Sequence, residues 1–270
     1  MEVTLPESER EAFQTAFQLL KRAAIPFVVG GAFAMHHYTG IWRYTKDMDL
    51  FLLPENVGPA LQILADAGYD TRMEAEHWLA KAFRNEALVD LIFGSGNWLA
   101  PVDRLWLTRS HQGTILGEEV RVAPVEEMIW SKAYVAVRHR YDGADVVHLI
   151  HAVRGNLDWD HLLWRFNDHW ELLFSYVSLF RFVYPSDKNF IPIPVMKKFL
   201  NLLREDLHKP PPVEKITRGL LLDRFAYTYD VRVEGYIDPR EQLAEERGGL
   251  ASEIEIDRQI AHEESMHRWL

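Results

Sequence analysis

The sequence predicts an α/β fold of the α+β kind: a mixed β-sheet flanked by helices up to about residue 155, then a mostly α-helical part. Two observations carry this. In the first half, short apolar runs bounded by glycine and proline alternate with stretches of helical periodicity. In the second half, aromatic and aliphatic residues recur at helical spacing with few strand signals.

Pro6 to Ala24 places Phe13, Phe17, Leu20 and Ala24 on one face, with acidic residues early and Lys21 and Arg22 late, as the helix dipole favours. "IPFVVGG" reads as a short buried strand ending in Gly30-Gly31, and "AFAMHHYTG" as a helix stopped near Gly40. "DMDLFLLPE" is a second strand, ended by Pro54; Val57 to Ala67 is a helix capped at Gly68. "HWLAKAFRNEALVDLIFGSG" gives two strands around the turn Arg84-Asn85-Glu86, and "EEVRVAPV" a further short strand. Glu126 to Val153 is helical in pattern but interrupted near Tyr141-Asp142-Gly143. The aromatic-rich segment from Trp159 to Tyr184 is helical, Pro192 and Pro194 break it, and "PVMKKFLNLLREDL" resumes it. "KPPPVEK" is a hinge, and the charged last thirty residues are expected to be helical or partly disordered. Two domains are expected, residues 1–155 and 156–270.

With 270 residues, nearly half apolar, the chain can bury one large core or two modest ones. It has no cysteine, which excludes disulfides and thiolate metal sites and leaves His, Asp and Glu as strong metal ligands. A formal net charge of −10 argues against a broad nucleic-acid-binding surface, which needs clustered Lys and Arg. The start of the chain is acidic, and no apolar run approaches the roughly 20 residues of a membrane span, so the expectation is a soluble cytoplasmic protein with no membrane partner.

Charge in the strands carries the chemistry. A buried, unpaired carboxylate costs several kcal/mol, so Asp47, Asp49 and Asp90 each need solvent, a base or a cation. Asp47 and Asp49 lie two apart and share a strand face, and Asp90 lies mid-strand in "ALVDLIFG", where an adjacent pairing would bring it beside them. Three carboxylates together suit Mg²⁺ or Mn²⁺. Gly30-Gly31, between a strand and a helix, allows a ligand's close approach, and the helix start offers N–H groups to phosphate. Taken singly, each signal has a plainer reading: a tight turn, a solvated strand start, or an Asp90 paired with Arg84 or Lys81.

In combination, "GGAFAMHHYTGIWRYTKDMDL" followed by "VDLIFG" resembles the nucleotidyltransferase superfamily of DNA polymerase β type, and within it the AbiEii-like, minimal nucleotidyltransferase branch. The resemblance implies a nucleotidyltransferase-like mixed sheet, an NTP partner, and transfer of an NMP to an acceptor hydroxyl on a tRNA end, a protein side chain or a small molecule. It implies phosphate binding by Gly30 and Gly31, and metal binding and catalysis by Asp47, Asp49 and Asp90. Arg43 and Thr45 match the branch's Arg-x-Thr, and both are implied to be nucleotide-binding. "EEMIWSKAYVAVRHRYDGADVVHLI" resembles the later motifs, which would bring Lys132 to the triphosphate or base and put Asp145 in the last motif; otherwise Lys132 is a solvated lysine and Asp145 pairs with Arg138 or Arg140. Some members of the branch are toxins, which implies an antitoxin protein as partner. The rival readings are a noncatalytic NTP-binding or interaction module and a structural protein whose aspartates form salt bridges.

Other signals are set aside. "AHEESMH" has one residue too many for a zinc His-Glu-x-x-His, with His262 and His267 five apart. His36 and His37 suit packing or helix capping better than ligation, and the aromatics from Trp159 to Tyr184 suit a helix core better than base stacking.

Overall fold

The computed structural model describes residues 3–249 and 251–268, the side chains of 251–253 and 264–268 excepted. The chain forms two compact units: residues up to Gly96 with Ala100–Met128, and Asn97–Leu99 with the chain from Ile129 onward. The sequence placed the end of the α/β part near residue 155; by its contacts the chain divides between Met128 and Ile129.

The first unit is built on α1 (Glu7–Arg22), β1 (Val28–Val29), α2 (Gly31–Thr39), β2 (Asp47–Phe51), α3 (Pro54–Asp66), β3 (Asp70–Ala75), β4 (Leu79–Arg84), β5 (Ala87–Ile92), α4 (Arg104–Thr108), β6 (His111–Ile115) and β7 (Glu118–Val122), with α5 (Val125–Ala133) divided between the units. Its seven strands lie in the order β3-β4-β5-β2-β1-β7-β6. The sheet is mixed: β2 runs parallel to β5 and β1 to β7, while β1–β2, β3–β4, β4–β5 and β6–β7 are antiparallel. Helices α1 and α3 pack together, α1 reaches β5 and β7, and α2 packs on β2 and β6.

The expected lead helix is present with most of its predicted face inward: Phe13, Phe17 and Leu20 are fully buried, whereas Ala24, with a φ of 54°, lies past the end of α1 and is exposed. Each such side chain stabilises the fold by about 1.5–3 kcal/mol. Phe17 stacks on Phe27 at 5.8 Å, and Lys21 and Gln18 bind Glu118 of β7 at 2.7 and 2.8 Å, fastening α1 to the sheet. Gly40 ends α2 in the left-handed conformation (φ 70°), and Asn85, also left-handed, makes the two-residue turn joining β4 to β5. Strands β3 and β6 were not foreseen. Both are sheet edges with mostly exposed polar residues, so ladder hydrogen bonds rather than apolar burial hold them, and the apolar pattern that marks a core strand is missing.

In the second unit, a hairpin of β8 (Ala136–Val137) and β9 (Arg140–Tyr141) separates α5 from α6 (Gly143–Ala152), a wider interruption than the sequence suggests. The aromatic segment forms α7 (Trp159–Phe166) and α8 (Trp170–Val183) rather than one helix, broken at Asn167, whose φ of 41° no α-helix accepts. Its buried Leu162, Phe166, Leu173, Tyr176 and Phe180 form a packing core, as expected. Next come α9 (Ile193–Asp206), α10 (Thr228–Arg232), α11 (Arg240–Glu246) and α12 (Ala251–Arg268). The charged tail is helical and ion-paired: buried Arg240 binds Asp238 at 2.8 Å and Asp257 at 2.7 Å, and Arg258 binds Asp238, Glu241 and Glu255. The His267 side chain of the set-aside zinc-like motif lies outside the described residues. No helix among the described residues is long and apolar enough to cross a membrane.

Candidate functional site

The site in the first unit is assembled from three neighbouring strands. Met48, Leu50 and Leu52 turn into the core with no exposed surface, which leaves Asp47 and Asp49, half-buried, on the opposite face of β2. The β2–β5 register pairs Asp49 with Asp90, and the β4–β5 register pairs Lys81 with Asp90. Residues in register share a face, so Asp47, Asp49, Asp90 and Lys81 form one polar row across β2, β5 and β4.

Gly30 and Gly31 close the row from β1. The Gly30 N–H donates to the Asp49 carbonyl at 2.9 Å, and the Gly30 carbonyl accepts from Ala34 N–H at 3.0 Å as the first helical bond of α2. A Cβ on Gly30 would strike the Phe51 ring; on Gly31, whose φ is +51°, it would fall on the Asp49 carboxylate. Only glycine allows this approach, and it brings the first turn of α2, whose N–H groups have no intrahelical acceptors, beside Asp49.

Thr45 is engaged with Asp47. Its hydroxyl donates to Asp47 Oδ1 and accepts from the Asp47 N–H at 3.4 Å, which orients that carboxylate. Arg43 is exposed in the segment between α2 and β2. Nearby, the Tyr44 hydroxyl donates to the buried Glu9 at 2.9 Å, tying this segment to α1.

Asp90 is only 8% exposed and accepts from Lys81 Nζ at 2.9 Å. Burial pushes its carboxyl above the usual range, Lys81 opposes that rise, and the charges of Asp47 and Glu74 add to it. Of the two ion pairs open from sequence, with Arg84 or with Lys81, the one with Lys81 is present. Among the described residues, no group of three or more His, Cys, Asp or Glu side chains is converged to hold a metal ion. The all-oxygen pair Asp47–Asp49 fits a hard divalent cation, and Lys81 is bound to Oδ1 of the neighbouring Asp90.

Lys132 belongs to the second unit, on the last turn of α5. It is half-buried and ion-paired rather than solvated, and its Nζ lies 2.9 Å from both Asp142 Oδ2 and Asp145 Oδ2. Asp145 therefore pairs with Lys132, while Arg140 binds Asp142 at 3.1 Å. Burial alone would raise the Asp142 carboxyl, but Arg140 and Lys132 hold it below the usual range. Asp142 was read from sequence only as part of a helix break; an acidic residue ten positions after a helical lysine was the available signal.

No protein-family profile and no curated protein matches the chain. Among solved structures it is similar to the antibiotic-resistance factor ANT(2'')-Ia, at 15% identity over 76% of this chain and 100% of that one, with a TM-score of 0.45. It is also similar to a nucleotidyltransferase-like protein from Paracoccidioides brasiliensis, at 17% identity over 68% and 92% of the two chains, TM-score 0.47. A third is the lincosamide antibiotic adenylyltransferase LnuA, at 12% identity over 52% and 94%, TM-score 0.37.

Proposed function

We propose that the chain is a metal-dependent nucleotidyltransferase that moves an NMP from an NTP to an acceptor hydroxyl and releases pyrophosphate. The observation that carries this reading is the close approach of Gly31 to Asp49, on the strand face where Asp47 lies two residues away and Asp90 stands in register. In this reading the first-turn N–H groups of α2 bind phosphate, and Asp47, oriented by Thr45, and Asp49 hold Mg²⁺ or Mn²⁺. The bound cation would neutralise charge on the phosphates and on the attacking oxygen. The acceptor oxygen bonds to the α-phosphorus, the bond from that phosphorus to the bridging oxygen of pyrophosphate breaks, and the acceptor proton passes to Asp90. The raised pKa of Asp90 makes it a better proton acceptor than an ordinary carboxylate. The motif resemblance assigns Arg43 to the nucleotide and Lys132 to the charge on the leaving pyrophosphate.

A tRNA end, a protein side chain and a small molecule remain the candidate acceptor classes, and the AbiEii-like resemblance adds a toxin role with an antitoxin partner. One observation favours the noncatalytic module instead: Lys81 occupies Asp90. Both readings are tested by incubating the protein with each α-labelled NTP, Mg²⁺ or Mn²⁺, and separate pools of tRNA, protein and small hydroxyl compounds. The catalytic reading expects transfer to one pool that the Asp47→Ala/Asp49→Ala variant loses. No transfer to any pool, with a Mg²⁺-NTP thermal shift that the variant loses, supports the noncatalytic module; no transfer and no shift removes both.

A further inference from the structure

The C-terminal end of α2 carries a second cluster, separate from the carboxylate row. His37, in the last turn of α2, and His111, the first residue of β6, bring their Nε2 atoms to 3.2 Å from one another. Two imidazole nitrogens on one tetrahedral zinc, each at about 2.0–2.1 Å, stand about 3.3–3.4 Å apart. The observed spacing is thus close to that of a chelating pair.

The surroundings prepare both nitrogens. The Tyr38 hydroxyl donates to the Ala123 carbonyl at 2.7 Å, so its oxygen is left to accept from His111 Nδ1, 3.5 Å away. A proton on Nδ1 leaves the His111 Nε2 lone pair directed to His37. Gly113, two residues further along β6, makes room for the partner ring: a Cβ there would stand 2.8 Å from His37 Cε1. Burial lowers the pKa of both rings, and for His37 the neighbouring His111 and His36 lower it further, which favours the neutral, ligating form. Both side chains reach solvent, which gives a cation and its remaining water ligands a way in.

We infer that His37 and His111 form a bidentate imidazole site for a borderline divalent cation such as Zn²⁺ or Ni²⁺, which clips the end of α2 to the edge strand β6. This site differs in chemistry from the carboxylate row, which takes hard cations. The test uses tag-free protein with excess Mg²⁺ present throughout, so that oxygen-ligand sites are occupied. ZnCl₂ and NiCl₂ are titrated by calorimetry, with the melting temperature followed in parallel. The wild type is expected to bind one equivalent and melt higher. His37→Ala and His111→Ala should each bind about tenfold or more weakly, and His37→Gln, which keeps a polar side chain of similar size, should lose the affinity too. His36→Ala, whose ring packs on Trp42, should bind like the wild type. Absence of heat and of a melting shift in the wild type, or unchanged affinity in the His37 and His111 variants, overturns the inference and leaves the pair as an N–H···N hydrogen bond.

Discussion

Replacing Gly31 by alanine tests the contact on which the site depends. Gly31 has a φ of +51°, a conformation that disfavours any Cβ by about 1–2 kcal/mol. The added methyl would also fall on the Asp49 carboxylate, and displacing a packed group typically costs about 1–3 kcal/mol. The expected loss is therefore about 2–5 kcal/mol, the sum of the two effects. Gly40 supplies the matched control: its φ is +70°, but a Cβ there meets no atom within 4 Å, so Gly40→Ala should lose only the backbone contribution, about 1–2 kcal/mol. Both variants are measured by equilibrium urea unfolding, with amide exchange of β1, β2 and β5 isolating the first unit from the second. Gly31→Ala should also weaken Mg²⁺-NTP binding, because Asp49 is displaced, whereas Gly40→Ala should not. Equal stability losses in the two variants would refute the close approach, and with it the geometric basis of the proposed phosphate and metal site.

Lys81→Met leaves Asp90 buried without its cation and should destabilise the first unit by about 3–5 kcal/mol at neutral pH, a loss that Lys81→Met/Asp90→Asn should largely recover in denaturant titrations. The folded state holds the Asp90 proton more tightly than the unfolded chain, so its contribution favours folding below the ordinary carboxylate pKa and is lost as pH rises through the raised folded value; Asp90→Asn should abolish that segment of the stability–pH curve. His169 behaves oppositely. Burial, aided by Arg218, lowers its pKa to about 4, so stability should fall as pH drops from about 6.5 through that value, and His169→Gln should flatten this limb while an NMR titration of the ring reads the pKa directly. Lys132→Met would leave Asp142 and Asp145 facing each other without their shared ammonium, with an expected loss of about 3–5 kcal/mol from the second unit by the same denaturant measurement.

Much of the scaffold was legible before the structure. Phe13, Phe17 and Leu20 repeat at helical spacing because one helix face meets the core, and Arg84-Asn85-Glu86 marks a hairpin because Asn tolerates a left-handed backbone. Asp47 and Asp49 had to share a face because side chains alternate along any strand. The sequence also required that the carboxylate at position 90 find a partner, though not which one: Arg84, Lys81 and a metal were equally compatible with the pattern.

The folded chain chose Lys81 over Arg84 as the cationic partner of Asp90. The two-residue turn at Asn85-Glu86 set Asp90 opposite Lys81, the parallel pairing of β2 with β5, segments far apart in sequence, set it beside Asp49, and burial then made the Lys81 ion pair necessary. The β8–β9 hairpin turned Lys132 toward Asp142 and Asp145, and the packing of segments far apart in sequence brought His37 of a helix against His111 of an edge strand. Local spacing determines which face of a helix or strand a side chain occupies. Which charges and rings meet across that face depends on the packing of distant segments, whose desolvation and hydrogen bonding cannot be read from any one stretch of chain.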